Sequence, residues 1–270
     1  MKTIKYLTGI LFLLAGLGLF AQEVYKEQIV VPLSDPGKSG VLSVGLINGS
    51  ITVNGYSGTE VIIDAMTTGS KKVTSDKSDG MTKLSTASFE LSATENDNVV
   101  EVDSDSWKNS INLQIKVPEN FDLEISTVND GKIVIENIEG EISAENVNGP
   151  ITIRNVSGSV LANTVNGEVA VLFDRVNPDD PMVFTTMNGD IDVTFPESLK
   201  ASVKLKSDMG DIYTDFEIDI NDTKPKVKKS EDSGEYKVTI EDWIYGDING
   251  GGPEFTFKNF NGDIFLRKKK

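Results

Sequence analysis

Glycine returns at every ninth residue between Thr127 and Phe173, at Gly131, Gly140, Gly149, Gly158 and Gly167. That spacing leaves few folds open. Two residues after each glycine stand Ile133, Ile142, Ile151, Val160 and Val169, and four after stand Ile135, Ala144, Ile153, Ala162 and Val171. Apolar residues two apart mark the buried face of a short strand. Seven after come Ile138, Val147, Val156 and Val165; the step of three predicts a bend followed by a third inward residue.

At the bend stand Asn137, Asn146 and Asn155, with Thr164 in the fourth unit. Asparagine tolerates left-handed backbone angles and bonds its own turn, and glycine is expected to supply the positive φ of the next corner. Alternate units match best. Val147-Asn148-Gly149 returns as Val165-Asn166-Gly167, and Ile138-Glu139-Gly140 as Val156-Ser157-Gly158, so the true period is 18. A period near 20 with one strand phase predicts a parallel β-solenoid, its coils stacked about 4.8 Å apart. The rival is an antiparallel meander with Asn-Gly hairpins, which does not call for an asparagine bend at a fixed offset. The expected fold is therefore all-β, a single-domain parallel β-solenoid of roughly 18–22-residue coils with polar loop insertions.

Looser copies extend the pattern. Ile47-Asn48-Gly49 lies upstream; Met187-Asn188-Gly189, Met209-Gly210 and Phe260-Asn261-Gly262 lie downstream. The polar stretches Thr67 to Asp79, Asn221 to Gly234 and Asn177 to Pro181 are expected to be loops. Glu23 to Val31 is expected to cap one end of the stack. Arg267-Lys268-Lys269-Lys270 is expected to guard the edge of a final strand, Asp263 to Leu266, against pairing with other chains.

Lys2 and Lys5 precede an apolar run from Tyr6 to Phe20, with Ala21 as a small residue for cleavage. This is the pattern of a secretory signal peptide, and the run is short of the ~20 residues that span a bilayer. The expected organisation is a leader over residues 1–21 and one β domain over 22–270, exported to the periplasm, outer surface or medium without stable membrane insertion. There is no Cys and no His, and the formal net charge is −16. Such a surface repels nucleic acid, and the commonest general base is missing.

The signal peptide, the Val-Asn-Gly-x-Ile/Val-x-Val/Ile repeats and the terminal Asn261-Gly262-Asp263-Ile264-Phe265-Leu266 strand followed by lysines resemble a bacterial domain-of-unknown-function family of candidate adhesins. That family is similar in turn to the β-solenoid head domains of candidate autotransporter adhesins, and the leader resembles those of the Bacteroidetes. The resemblance runs over roughly Leu42 to Lys270 and is weakest between Thr67 and Ser110. It implies a fold, and it carries no catalytic residues.

No cofactor, metal or catalytic constellation is evident. The turns lack the Gly-Gly-x-Gly-x-Asp of a calcium-binding β-roll, and acidic loops such as Asp103-Ser104-Asp105 or Asp179-Asp180 read as solvated faces. The residues singled out are structural turns: Asn48, Gly49, Gly131, Asn137, Gly140, Asn146, Asn148, Gly149, Asn155, Gly158, Asn166, Gly167, Asn188, Gly189, Asn261 and Gly262. Three functions fit such a chain. The first is a non-catalytic surface adhesin or binding scaffold for a glycan, a matrix or an envelope protein. The second is a periplasmic scaffold or sensor that engages an envelope-stress regulator. The third, a polysaccharide-active enzyme, needs two carboxylates at a set separation, for which Asp190 with Asp192 or Asp211 with Asp215 are candidates. Trp107 and Trp243 read as core or loop anchors, and an exposed patch of Trp107, Phe255 and Phe257 would mark an interface.

Overall fold

The alternation of the glycine-spaced units becomes paired strands. The computed structural model describes residues 24–68, 76–78, 81–83, 91–104, 109–177, 179–222, 226–232, 235–241 and 243–270. The expected leader, Trp107 and Asp105 lie outside them. Among the described residues every regular element is a strand, and most belong to two sheets of ten and eleven strands.

Each repeat sends one strand to each sheet, and we call such a pair a rung. In stacking order, rung 1 is Val99–Asp103 with Ile111–Pro118, and rung 2 is Val41–Asn48 with Ile51–Tyr56. Rung 3 is Asp122–Asn129 with Ile133–Glu136, rung 4 Ile142–Asn148 with Ile151–Val156, and rung 5 Val160–Asn166 with Val169–Phe173. Rung 6 is Met182–Asn188 with Ile191–Phe195, rung 7 Glu254–Asn261 with Ile264–Lys268, and rung 8 Ala201–Met209 with Ile212–Thr214. The first-named strands form sheet B and the second-named form sheet A. Neighbouring rungs pair in parallel, with Ile133 against Ile151 and Ile142 against Val160, 18 residues on. The inward Ile, Val, Leu, Ala and Phe of both sheets merge in one core. Toward rungs 6 and 7 it fills with phenylalanines; Phe173 stacks on Phe195 at 4.9 Å and Phe184 on Phe257 at 5.0 Å. Phe255 and Phe257 are fully buried, so they form no exposed patch.

Stacking order departs from chain order at both ends. Rung 2 precedes rung 1 in the chain yet lies inside it, and rung 7, the last in the chain, is inserted between rungs 6 and 8. The Ile264–Lys268 strand is therefore flanked on both sides and is not an edge. The lysines after it do not guard one: Lys269 Nζ pairs with Asp174 at 2.5 Å, and its N–H donates to the Phe195 carbonyl. Antiparallel strands make the sheet topology mixed. In sheet A, Glu60–Thr68 pairs with rung 1 and Val24–Pro32 lies outermost, as expected of the N-terminal segment. In sheet B, Ser92–Asn96 lies beside rung 1, and Ile244–Ile248 and Ile218–Asp222 lie beyond rung 8. The stretch expected to loop from Asn221 instead enters a hairpin of Lys226–Asp232 with Glu235–Glu241.

The two nine-residue units of a rung are not equivalent. Asn137 and Asn155 take the left-handed conformation, at φ 60° and 55°. Asn146 and Thr164, at the same sequence offset, are instead buried, and their side chains donate to the carbonyls of Gly131 and Gly149 at 3.0 Å each. Ile138 and Val156 are buried, but Val147 is 37% exposed and Val165 half-exposed. The third inward position is thus inward only in alternate units.

The glycine corners also differ from expectation. Gly49, Gly189 and Gly262 have left-handed φ; Gly131, Gly140, Gly149, Gly158 and Gly167 do not. Closeness requires glycine there. A Cβ at Gly149 would lie 1.8 Å from the Gly131 carbonyl oxygen, one at Gly167 2.2 Å from that of Gly149, and one at Gly158 2.0 Å from that of Gly140. Backbone rests on backbone, with no room for a methyl group between rungs. Gly149→Ala should therefore cost about 3 kcal/mol by overpacking, roughly 10 °C in Tm for a chain of this size. Gly45→Ala, whose Cβ would meet nothing nearer than 3.5 Å, should stay within about 0.5 kcal/mol. Thermal melts of the two variants check the pair of outcomes.

Candidate functional site

The predicted turn residues gather along the two edges of the stack. At one edge Asn148, Asn166 and Asn188 form an amide ladder. Each side-chain NH₂ donates to the asparagine a rung below, to Asn129, Asn148 and Asn166 in turn, at 2.9–3.1 Å. Asn48 and Asn261 stand in register with it. Asn129 escaped the nine-residue count because Asp130, at φ 53°, adds a residue before Gly131. At the other edge Asn155 donates to Asn137 and Asn137 to Asn54, at 3.3 and 3.2 Å, with Gly140 and Gly158 stacked nearby. The amides of Asn54, Asn129, Asn137, Asn148, Asn155, Asn166 and Asn188 are each committed to a neighbouring rung. They hold the stack together and do not converge on a ligand.

The outer face of sheet A between rungs 4 and 8 is built differently. Strand alternation points Thr152 and Arg154 outward on rung 4, Ala170 and Leu172 on rung 5, Asp192 and Thr194 on rung 6, Phe265 and Arg267 on rung 7, and Tyr213 on rung 8. The small Ala170 leaves a shallow groove of about 130 Å³ bordered by Arg154, Leu172, Asp192 and Thr194. Next to it the side chains stack in layers. Tyr213 lies on Phe265, ring centres 5.2 Å apart and 11° from parallel. The Arg267 guanidinium lies 4.9 Å from the Phe265 ring centre, and its Nε donates to both Asp192 oxygens at 2.8 and 3.0 Å. The aromatic pair contributes about 0.5–1.5 kcal/mol and the exposed cation–π contact about 0.5–1. Tyr213 stands on the last strand of sheet A and is 50% exposed, so among the described residues the stack ends on a ring with no further strand beside it.

Beyond this face, the loops after Phe173 and Phe195 enclose a cleft of about 410 Å³ lined by Asp174, Arg175, Val176, Pro196, Leu199 and Lys200. Arg175 bonds Glu139 at 2.8 Å, and Lys269 ties the C-terminal strand to the cleft through Asp174. Trp243 lies elsewhere, half-buried beneath Lys204 at 4.5 Å from its ring centre.

The carboxylates considered for hydrolysis have other partners. Asp192 holds Arg267; Asp190 accepts the Asp263 N–H and Asp263 the Asp211 N–H, both at 2.8 Å; Asp211 accepts the Tyr213 hydroxyl at 3.3 Å; Asp215 accepts the Lys268 N–H at 3.4 Å. Among the described residues no group of three or more acids is placed to hold a metal ion. Sequence reasoning named Asp192 and Asp211 but missed Tyr213, Phe265 and Arg267. Rung 7 reaches its place out of chain order, so nothing in the spacing put these residues side by side.

Charge acts on the stack too. The Asp211 carboxylate first, then partial desolvation and Asp263, raises the Tyr213 hydroxyl above its ordinary pKa. A raised folded-state value means that Tyr213 favours the fold fully below about pH 10, and that this contribution is lost as pH climbs through the folded value. Asp211→Asn should move the Tyr213 ionisation down toward its ordinary range. Alkaline difference absorbance, with Tyr213→Phe as the blank, reads the shift.

Residues 26–249 match the sequence profile of the Toastrack DUF4097 family. No curated protein matches the chain. Among solved structures, a candidate cell adhesion protein from Clostridium sporogenes is similar, with 12% identity and a TM-score of 0.53 over 92% of this chain and all of that one. A candidate adhesin from Bacteroides fragilis aligns over 92% of this chain and 98% of its own, at 10% identity and a TM-score of 0.40. The first likeness is one of fold.

Proposed function

Because the chain belongs to the Toastrack DUF4097 family, we propose that it is an exported, non-catalytic binding protein of the bacterial envelope, a two-sheet β-solenoid whose sheet A face holds a glycan. The observation that carries this reading is the layered stack of Tyr213, Phe265 and Arg267 against Asp192, beside the Ala170 groove. A sugar ring presents a flat apolar face and a rim of hydroxyls. A half-exposed aromatic ring takes the first by stacking, and a fixed guanidinium–carboxylate pair offers donors and acceptors to the second. The groove continues across rungs 4 to 6, which suits a chain of sugars better than a single one.

The fold likeness to the Clostridium protein, itself described as a candidate for cell adhesion, supports a binding role. The engagement of Asp190, Asp192, Asp211 and Asp215 in local bonds argues against a pair of carboxylates left free to cleave. Export rests on the leader-like start, from Lys2 to Ala21.

Binding to an array of immobilised bacterial and host polysaccharides tests the site. Tyr213→Ala and Arg267→Ala should each weaken retention at least tenfold, on the scale of a lost stacking or charged contact. Retention unchanged in both would remove sheet A from the reading. Protease treatment of intact cells tests location. Loss of the protein with a periplasmic control intact is expected for an adhesin, whereas full protection would turn the reading toward a periplasmic scaffold.

A further inference from the structure

The valine of the repeated Val-Asn-Gly is not a core residue. On the outer face of sheet B the positions just before the asparagine ladder line up as Ile47, Val128, Val147, Val165, Met187 and Phe260, one on each of rungs 2 to 7. All are exposed except the half-exposed Val165, with Met187 at 51% and Phe260 at 45%. Six apolar side chains thus run along a water-facing surface for about 24 Å at the usual strand spacing. The core does not need them, and exposed apolar runs of this length mark contact surfaces. Asp208 takes the same place on rung 8 and ends the column.

Charge is divided unevenly beside that column. Outward on rungs 1, 3 and 4 stand Glu101, Asp103, Glu124 and Glu145; outward on rungs 7 and 8 stand Lys258, Lys204 and Lys206, with Glu254 and Asp208 at their margins. Lys204 is held over Trp243, and Lys206 is held by Asp208 at 3.0 Å. The face therefore carries only acids at one end, its lysines at the other, and an apolar column along one side.

We propose that this face joins two copies of the chain, sheet B on sheet B, about a twofold axis parallel to the strands and midway along the stack. That rotation keeps each column over itself and reverses the order of the rungs. Val147 then meets Val165, Val128 meets Met187, and Ile47 meets Phe260. Glu101 and Asp103 of one copy face Lys204 and Lys206 of the other. A surface with opposite charges at its two ends is self-complementary in this arrangement, as an isologous interface requires. Eight strands about 4.8 Å apart, each contributing about six residues, cover about 700 Å² per copy, within the range of stable complexes. The contact is independent of the glycan face, which lies on the other sheet and stays open in the dimer.

Sedimentation velocity of the purified protein over a concentration series tests the proposal. A dimer is expected, weakening as salt screens the facing charges. Val147→Lys should raise the dissociation constant at least tenfold with an unchanged melting temperature. Glu101→Lys with Asp103→Lys should do the same, and adding Lys204→Glu and Lys206→Glu to that chain should restore the dimer, because both facing pairs then return with their signs reversed. Glu101 and Asp103 are exposed, so their replacement remains informative if Val147→Lys disturbs folding. A monomer up to about 100 µM, a dimer indifferent to these changes, or a fourfold charge variant that stays monomeric would overturn the proposal.

Discussion

Backbone rests directly on backbone at the turn edge, and the stack depends on that closeness. Gly49, Gly131, Gly149, Gly167, Gly189, Gly262 and Gly210 form a column in which a Cβ on each would strike the carbonyl of the residue beneath at 1.7–2.3 Å. Such proximity hides those carbonyls from water, and a buried carbonyl without a donor costs about as much as a lost hydrogen bond. Six of the seven, the glycine carbonyls, receive one from a buried or half-buried side chain. Thr127, Asn146, Thr164, Thr186, Asn259 and Ser207 donate to the carbonyls of Gly49, Gly131, Gly149, Gly167, Gly189 and Gly262 at 2.8–3.0 Å. On rungs 3 to 8 one such polar residue is the counterpart of one glycine.

This pairing explains why the rungs keep register while their loops vary. A parallel ladder slips by two residues without exposing its apolar face, but such a slip would pull each buried donor off its carbonyl and push a side chain into the glycine column. The amide ladders along both edges act in the same sense. With register held by the turns, outward positions on the sheets are free to vary. One face carries the Tyr213, Phe265 and Arg267 stack and the other an apolar column between unlike charges.

The exchange of order at both ends has a physical use. A terminal rung pairs on one side only, and chain ends fray unless tied down. Setting rung 7, the last in the chain, inside rung 8 gives both of its strands two neighbours. Three of the four borders then carry strands antiparallel to the rungs, and the fourth ends on Ile212–Thr214, only three residues long, which offers another chain little to pair with. Arg267 and Lys269, which read from sequence as guards of a bare edge, instead clamp rung 7 to Asp192 and Asp174.

The sequence by itself determined the strand phase, the 18-residue repeat and the positions of most turns, because apolar alternation and glycine spacing are local signals written into each unit. It could not separate the two roles of one offset. Asn137 bends the chain and Asn146 caps a buried carbonyl; Val156 is core and Val147 faces water. Which edge a unit occupies depends on the rungs above and below it. Nor could spacing foresee that the last strand enters the stack between two earlier ones. Only the tertiary structure decided that Tyr213, Phe265, Arg267 and Asp192 share one face, because residues up to 75 apart in sequence become neighbours through strand insertion, which leaves no periodic trace in the chain.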